Sequence, residues 1–471
     1  MGEVSMRGVR LSLVLAVASA CGCNFDVTLD PENQGTGLEL QSEQSIVRTV
    51  FPDGRRGLVM GFIDSTGQLT TGSDGRPAYV PGYSQMGLAL SADNGTSWLR
   101  LDQFDPPPGL TALQADPWLA TTSDGTEVWY VFLGVVGNQS PVDGTGQVHA
   151  IAYTHSISGG LSWSPVDFVD LGYPVDKCSV AVSEDGQDIY IAYVHDRLVP
   201  IGLDAEIEVL VSNDGGGNWD VRTVPGRLTG ERRQNPIVRI VPGQEGVSYV
   251  SFQTSRQGFR FIDIARSTDS GGSYSTPTTV VGPVGPLAQL DGAGGRAVRN
   301  LVWQHFAVQP GVQRLVLGYE DAGRIFVTTS PDGSSWGPTT QVAPNRDGRQ
   351  FQVSIAASRS RIGALFYEQP PLSGASTVVV AASSANGSSW VTYEVTSTPP
   401  AGSVPFEPCP SGDGSRPGYF GDYVGVAPLA LVTDNPAPAG FYGAWADSRL
   451  GCLETDRFRA VHQHTVGAPF L

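Results

Sequence analysis

Lysine is almost missing: of the 29 basic residues in this chain of 471, only Lys177 is a lysine. Charge of either sign is sparse at 16 %, and 46 acids against 29 bases leave a formal net charge of −17. So acidic a chain argues against nucleic acid as a partner, since a phosphate backbone needs a basic surface to neutralise it. Broad adsorption to anionic membranes is disfavoured for the same reason. Cysteine is scarce at five residues and forms no C-x-x-C pair. There is no G-x-S-x-G elbow, no phosphate-binding Gly loop, and no zinc pair made by His195 and His305. Beyond the N-terminus no long window carries apolar residues at helical spacing.

What is plentiful is turn chemistry. The chain holds 59 Gly and 34 Pro, and its length can bury a large core. The stretch Ser91–Trp98, SADNGTSW, recurs with copies starting at Ser156, Ser212, Ser267, Ser330 and Ser383. A fixed-period repeat dictates architecture. Each copy follows an apolar run and precedes a short polar-apolar alternation, as a turn between antiparallel strands would. Its Asp accepts hydrogen bonds from the turn's own backbone, its Gly permits a left-handed conformation, and its Trp offers a flat surface to bury. Three copies depart: Ser158 and Ala385 stand where Asp is expected, and the copy at Ser330 is one residue short.

This pattern resembles the Asp-box of the sialidase-like, BNR-repeat β-propellers. Laid out from Ser45, the chain shows six complete units of four short strands and a three-stranded last unit. Seven blades are favoured over six, with a strand within 25–40 supplying the missing fourth strand and closing the ring. Strand alternation puts the boxes at the end opposite the usual ligand face, so they are read as structural and the other end as functional. A monomer is expected.

The N-terminus is read as a targeting segment. Arg7 and Arg10 precede the apolar Leu11–Ala20, and Cys21 follows small residues. This resembles a bacterial lipoprotein signal. It implies a signal peptide over 1–20, a lipidated Cys21 (Cys23 is the alternative), a tether over 21–43 and the propeller over 44–471. The body then works outside the cytoplasm, on the outer membrane or cell surface, and meets the membrane only through its lipid.

The mouth candidates come from links leading into the units and from loops between second and third strands. They are Asp116, Asp176, Lys177, Arg233, Arg256, Asp422, Tyr423, Asp447 and Arg449. A charged ring at a propeller mouth suits a glycan or protein ligand outside the cell. Cys409 and Cys452 are expected to sit over the last unit as a disulfide. No cofactor is required; the acidic residues Asp116, Asp176, Asp422 and Asp447 offer oxygen ligands for Ca²⁺, with no contiguous calcium-loop motif. Gly421–Gly425 (GDYVG) and Trp445–Arg449 (WADSR) look like the closing segments of bacterial secreted BNR-repeat proteins. An active sialidase would further imply Tyr423 as nucleophile, Glu231 as its activator, an Asp acid such as Asp422, and three arginines holding a carboxylate. Arg256 matches one of these; Arg48 lacks the expected Pro after it.

Overall fold

The computed structural model describes residues 25–26 and 41–470, apart from 65–68, 72–76, 80–81, 138–147, 200–201, 288–289, 292–296, 299, 301–303, 372–376, 396–421, 435–439, 448–451, 455–458 and 462–463. Among the described residues every regular element is a strand. The strands form five four-stranded antiparallel sheets, one eight-stranded sheet and three two-stranded hairpins. The eight-stranded sheet is two four-stranded units joined by a single parallel bridge, Ala205 to Arg232. Each unit but the last runs in chain order from an inner to an outer strand.

The inner strands are Gln41–Val50, Leu110–Thr121, Val175–Val182, Arg232–Ile240, Gln304–Gln309, Arg349–Ala357 and Gly425–Pro428. Each packs against the next, and the last packs against the first. In the last unit, Phe441–Asp447 and His464–Phe470 follow the inner strand, and Phe25–Asp26 pairs outside them, Phe25 opposite Gly467. The first inner strand takes in Ser42 and Glu43, at the end of the segment expected to be a tether.

The repeated turns explain how units lock together. In the first, Ser91 Oγ accepts from the Gly95 N–H at 2.8 Å, and Asp93 accepts from the Ser97 N–H at 2.8 Å. Gly95 has φ +87°, and a Cβ there would lie 2.0 Å from the Tyr442 ring of the last unit. Only glycine satisfies both demands. Trp98 donates to Tyr442 Oη at 3.2 Å, so the first unit's turn is seated on the last unit. The same seating recurs when Gly216 meets Trp129 and Gly333 meets Tyr249 of the preceding units.

The degraded copies keep the geometry by other means. Ser158 Oγ accepts from the Ser162 N–H at 2.9 Å, as the Asp would. The sixth turn begins at Ser384 rather than Ser383: Ser384 Oγ accepts from Gly387, and Asn386 accepts from Ser388. Asn386 therefore holds the Asp position that the sequence pattern gave to Ala385. This copy has the same shortened form as Ser330–Trp336, where Asp332 plays that part.

Candidate functional site

Five inner strands carry a register shift near their starts, and in each shift the residue two before the ladder resumes is a non-glycine at positive φ; in the second unit Ala115, just before it, is too. The five are Glu43, Asp116, Lys177, Asn235 and Gln352, at φ 50–58°. Each lies two residues before the ladder resumes, so they are one structural position repeated from unit to unit. A bulge re-aims a side chain, and a non-glycine residue in this region costs on the order of 1 kcal/mol or more. The strain is repeated five times in register.

What it assembles is an ionic clamp across units. Lys177 donates from its backbone N–H to Asp116 Oδ2 at 2.9 Å and from Nζ to Asp116 Oδ1 at 3.0 Å. The same ammonium pairs with Asp422 of the last unit. Glu43 accepts from the Asp116 and Asp422 backbone N–H groups, at 3.3 and 3.2 Å. Burial opposes the charges of Asp116 and Lys177, but the ion pairs win. The Lys177 ammonium keeps Asp116 below the usual carboxylate range, and Asp116 and Asp422 hold the Lys177 proton well above its usual range. The void beside the clamp measures about 20 Å³, room for about one water molecule. No sugar fits there.

Tyr423 lies below the clamp. Its hydroxyl donates to the Pro117 carbonyl at 2.8 Å, and its ring packs on Trp118 with centroids 5.4 Å apart. Burial raises its phenol pKa well above the usual value. Glu231 does not reach it: Glu231 accepts from Arg233 Nε at 2.8 Å and faces Arg256 at 3.8 Å. Arg233 is buried, stacked on Phe252, and also donates to the Val224 and Pro225 carbonyls. Arg256 lies over Phe261 and donates to Asp263 and Thr279. Arg48 is buried toward the box end, where it donates to Asn94.

No family model and no curated protein matches this chain. Solved structures that it resembles include an α-L-arabinofuranosidase of Fusarium graminearum crystallised with arabinobiose, at 12 % identity and TM-score 0.47, covering 77 % of this chain and 97 % of that one. A Dyadobacter fermentans protein of unknown function aligns at 15 % and 0.46, covering 71 % and 92 %. A Trypanosoma rangeli sialidase in complex with the inhibitor DANA aligns at 10 % and 0.45, covering 71 % of this chain but 53 % of its own length. Likeness at this level says nothing of what this chain binds.

The accessible chemistry lies one step outward, where units three and four meet at the mouth. Asp176 stands beside the clamp, partly open to solvent. Burial pushes its carboxyl up to about 7; Lys177 opposes the shift, and a hydrogen bond with Asp116 reinforces it. Two adjacent acids, Asp116 and Asp176, are thus shifted in opposite directions. Asp196, 22 % exposed, is also raised by burial and faces Arg232, 37 % exposed, at 4.0 Å. Tyr173 stacks on His195 with centroids 3.7 Å apart. Glu208 fixes that stack, accepting from Tyr173 at 2.6 Å and Tyr193 at 2.8 Å and meeting His195 Nδ1 at 3.1 Å.

Sequence reasoning missed Glu43, Tyr173 and Glu208. Aligning the starts of the inner strands would have found Glu43, which shares a column with Asp116, Lys177 and Asp422. Nothing in the sequence marks Glu208, a buried polar residue inside a third strand. Asp447 ends its strand, but its side chain, Arg449, Cys21, Cys23 and Cys409 lie outside the described residues, as does the side chain of Cys452. Cys178 is buried and free, donating to the Asp116 carbonyl. Among the described residues no group of three or more His, Cys, Asp or Glu could hold a metal ion.

Proposed function

We propose that this chain is a seven-bladed, sialidase-like β-propeller, exported and lipid-anchored at Cys21, that binds a glycan or protein ligand at its mouth. The cyclic packing of seven inner strands and the seating of the first turn on the last unit support the ring. The observation that carries the binding reading is Asp176, a partly exposed residue at the lip whose carboxyl is pushed up to about 7 beside ionised Asp116. With Asp196, Arg232 and the Tyr173–His195 stack, it offers a donor, an acceptor, a cation and an aromatic face on one lip. Hydroxyl-rich ligands call for that mixture, because each hydroxyl both donates and accepts.

A sialidase reading needs a Tyr hydroxyl free to attack. Tyr423 has committed its hydroxyl to a backbone carbonyl, which supports a structural role. The test is a glycan array read with the wild type and with Asp176→Ala, Arg232→Ala and Tyr173→Ala. Binding that weakens at least tenfold in all three supports the proposal; a blank array or unaffected variants sink it. Turnover of a fluorogenic sialoside that disappears in Tyr423→Phe would replace binding with catalysis.

A further inference from the structure

Two residues after each bulge, the inner strands turn a side chain toward the Trp118–His305–Tyr423 layer. His305 occupies this position in the fifth unit. Its Nδ1 accepts from the Ile355 backbone N–H at 3.1 Å, much as Ser179 Oγ accepts from Val238 in the third. That bond leaves the proton of the neutral ring on Nε2. Two residues further on lies a layer made of Val47, Ala120, Ala181, Ala307, Ala356 and Val426 in six units. In the fourth unit the same position is Arg239. All seven line one channel of about 250 Å³, room for roughly eight waters at about 30 Å³ each. Ser123, Glu184, Pro242 and Val432 also line it. They sit in turns after inner strands, so the channel opens at the box end, away from the mouth.

Arg239 is an anomaly in this layer. Its guanidinium lies 5.6 Å from the Trp118 ring centroid and donates to the Val238 carbonyl at 2.8 Å. Among the described residues no carboxylate pairs with it. Glu184, the other charged group lining the channel, is exposed at its outer rim. Burial lowers the Arg239 pKa to about 10, so the cation persists at neutral pH. His305, neutralised by burial and by Arg239 itself, adds an N–H donor but no competing charge. A permanent planar cation walled by methyl groups, with space beside it, is a receptor for a planar or tetrahedral oxyanion.

We propose that the axial channel binds a small oxyanion, a carboxylate or a phosphate, anchored by Arg239. The site is separate from the mouth and stands whether or not the mouth binds a glycan. Thermal unfolding and calorimetric titration of the full chain with sodium acetate, sodium phosphate and, as control, sodium chloride at constant ionic strength test it. The wild type is expected to give a saturable rise in Tm with acetate or phosphate and none with chloride; which of the two acts identifies the anion class. Arg239→Met keeps the shape, removes an uncompensated charge, and is expected to weaken binding at least tenfold. Ala120→Leu narrows the same layer while keeping Arg239 and is expected to do likewise, so the site remains testable should the first variant fail to fold. No saturable response in the wild type, or an unchanged response in a folded variant, overturns the proposal.

Discussion

Asp116 and Asp176 show how one cation can settle two carboxyls differently. Lys177 is in direct contact with Asp116, which keeps its charge; Asp176 is desolvated and next to that charge, and takes the proton. The consequence for stability has a definite sign. A carboxyl that titrates near 7 when folded and near 4 when unfolded holds its proton longer in the native state. Its contribution is full below about pH 4 and fades as pH rises to about 7, with a slope of at most about 1.4 kcal/mol per pH unit. Asp176→Asn, which retains a donor for Asp116, is expected to flatten that slope in urea unfolding between pH 5 and 8. An unchanged slope would show that Asp176 ionises normally.

The repeated turns carry their lesson at the scale of the element. Their register follows hydrogen bonding rather than the letter pattern, as the sixth copy shows. Asn386→Ala is expected to cost about 1 kcal/mol in denaturant unfolding, the net worth of a typical hydrogen bond, whereas Ala385→Gly leaves that bond in place. Gly95→Ala is expected to cost more than Gly54→Ala. Both have positive φ, but only Gly95 faces a ring, that of Tyr442. The four-strand units and five of six turns were legible from SxDxGxxW spacing because local hydrogen bonds and an apolar partner set them. The clamp was only half legible. Asp116, Lys177 and Asp422 announced themselves as charged residues at strand starts, while Glu43 was hidden in a polar segment. The raised carboxyl of Asp176 was not legible at all, since burial and neighbours from other units decide it. The arginine layer was equally hidden, because Arg239 stands out only once seven strands are aligned.

Across the whole molecule, an early and a late segment meet in the last unit, where Phe25–Asp26 flanks His464–Phe470. A chain beginning at residue 30 is expected to melt below one beginning at residue 24, by about 1 kcal/mol for each ladder hydrogen bond lost; equal melting temperatures would show that the pairing adds nothing. The clamp adds a different consequence. The only side-chain amine in the protein sits where units two, three and seven converge, protonated and 12 % exposed. Amine-directed reagents therefore find almost nothing to modify on the folded surface. Acylation of Lys177 becomes a clock for separation of the units that meet there, readable by mass spectrometry from one tryptic fragment bounded by arginines.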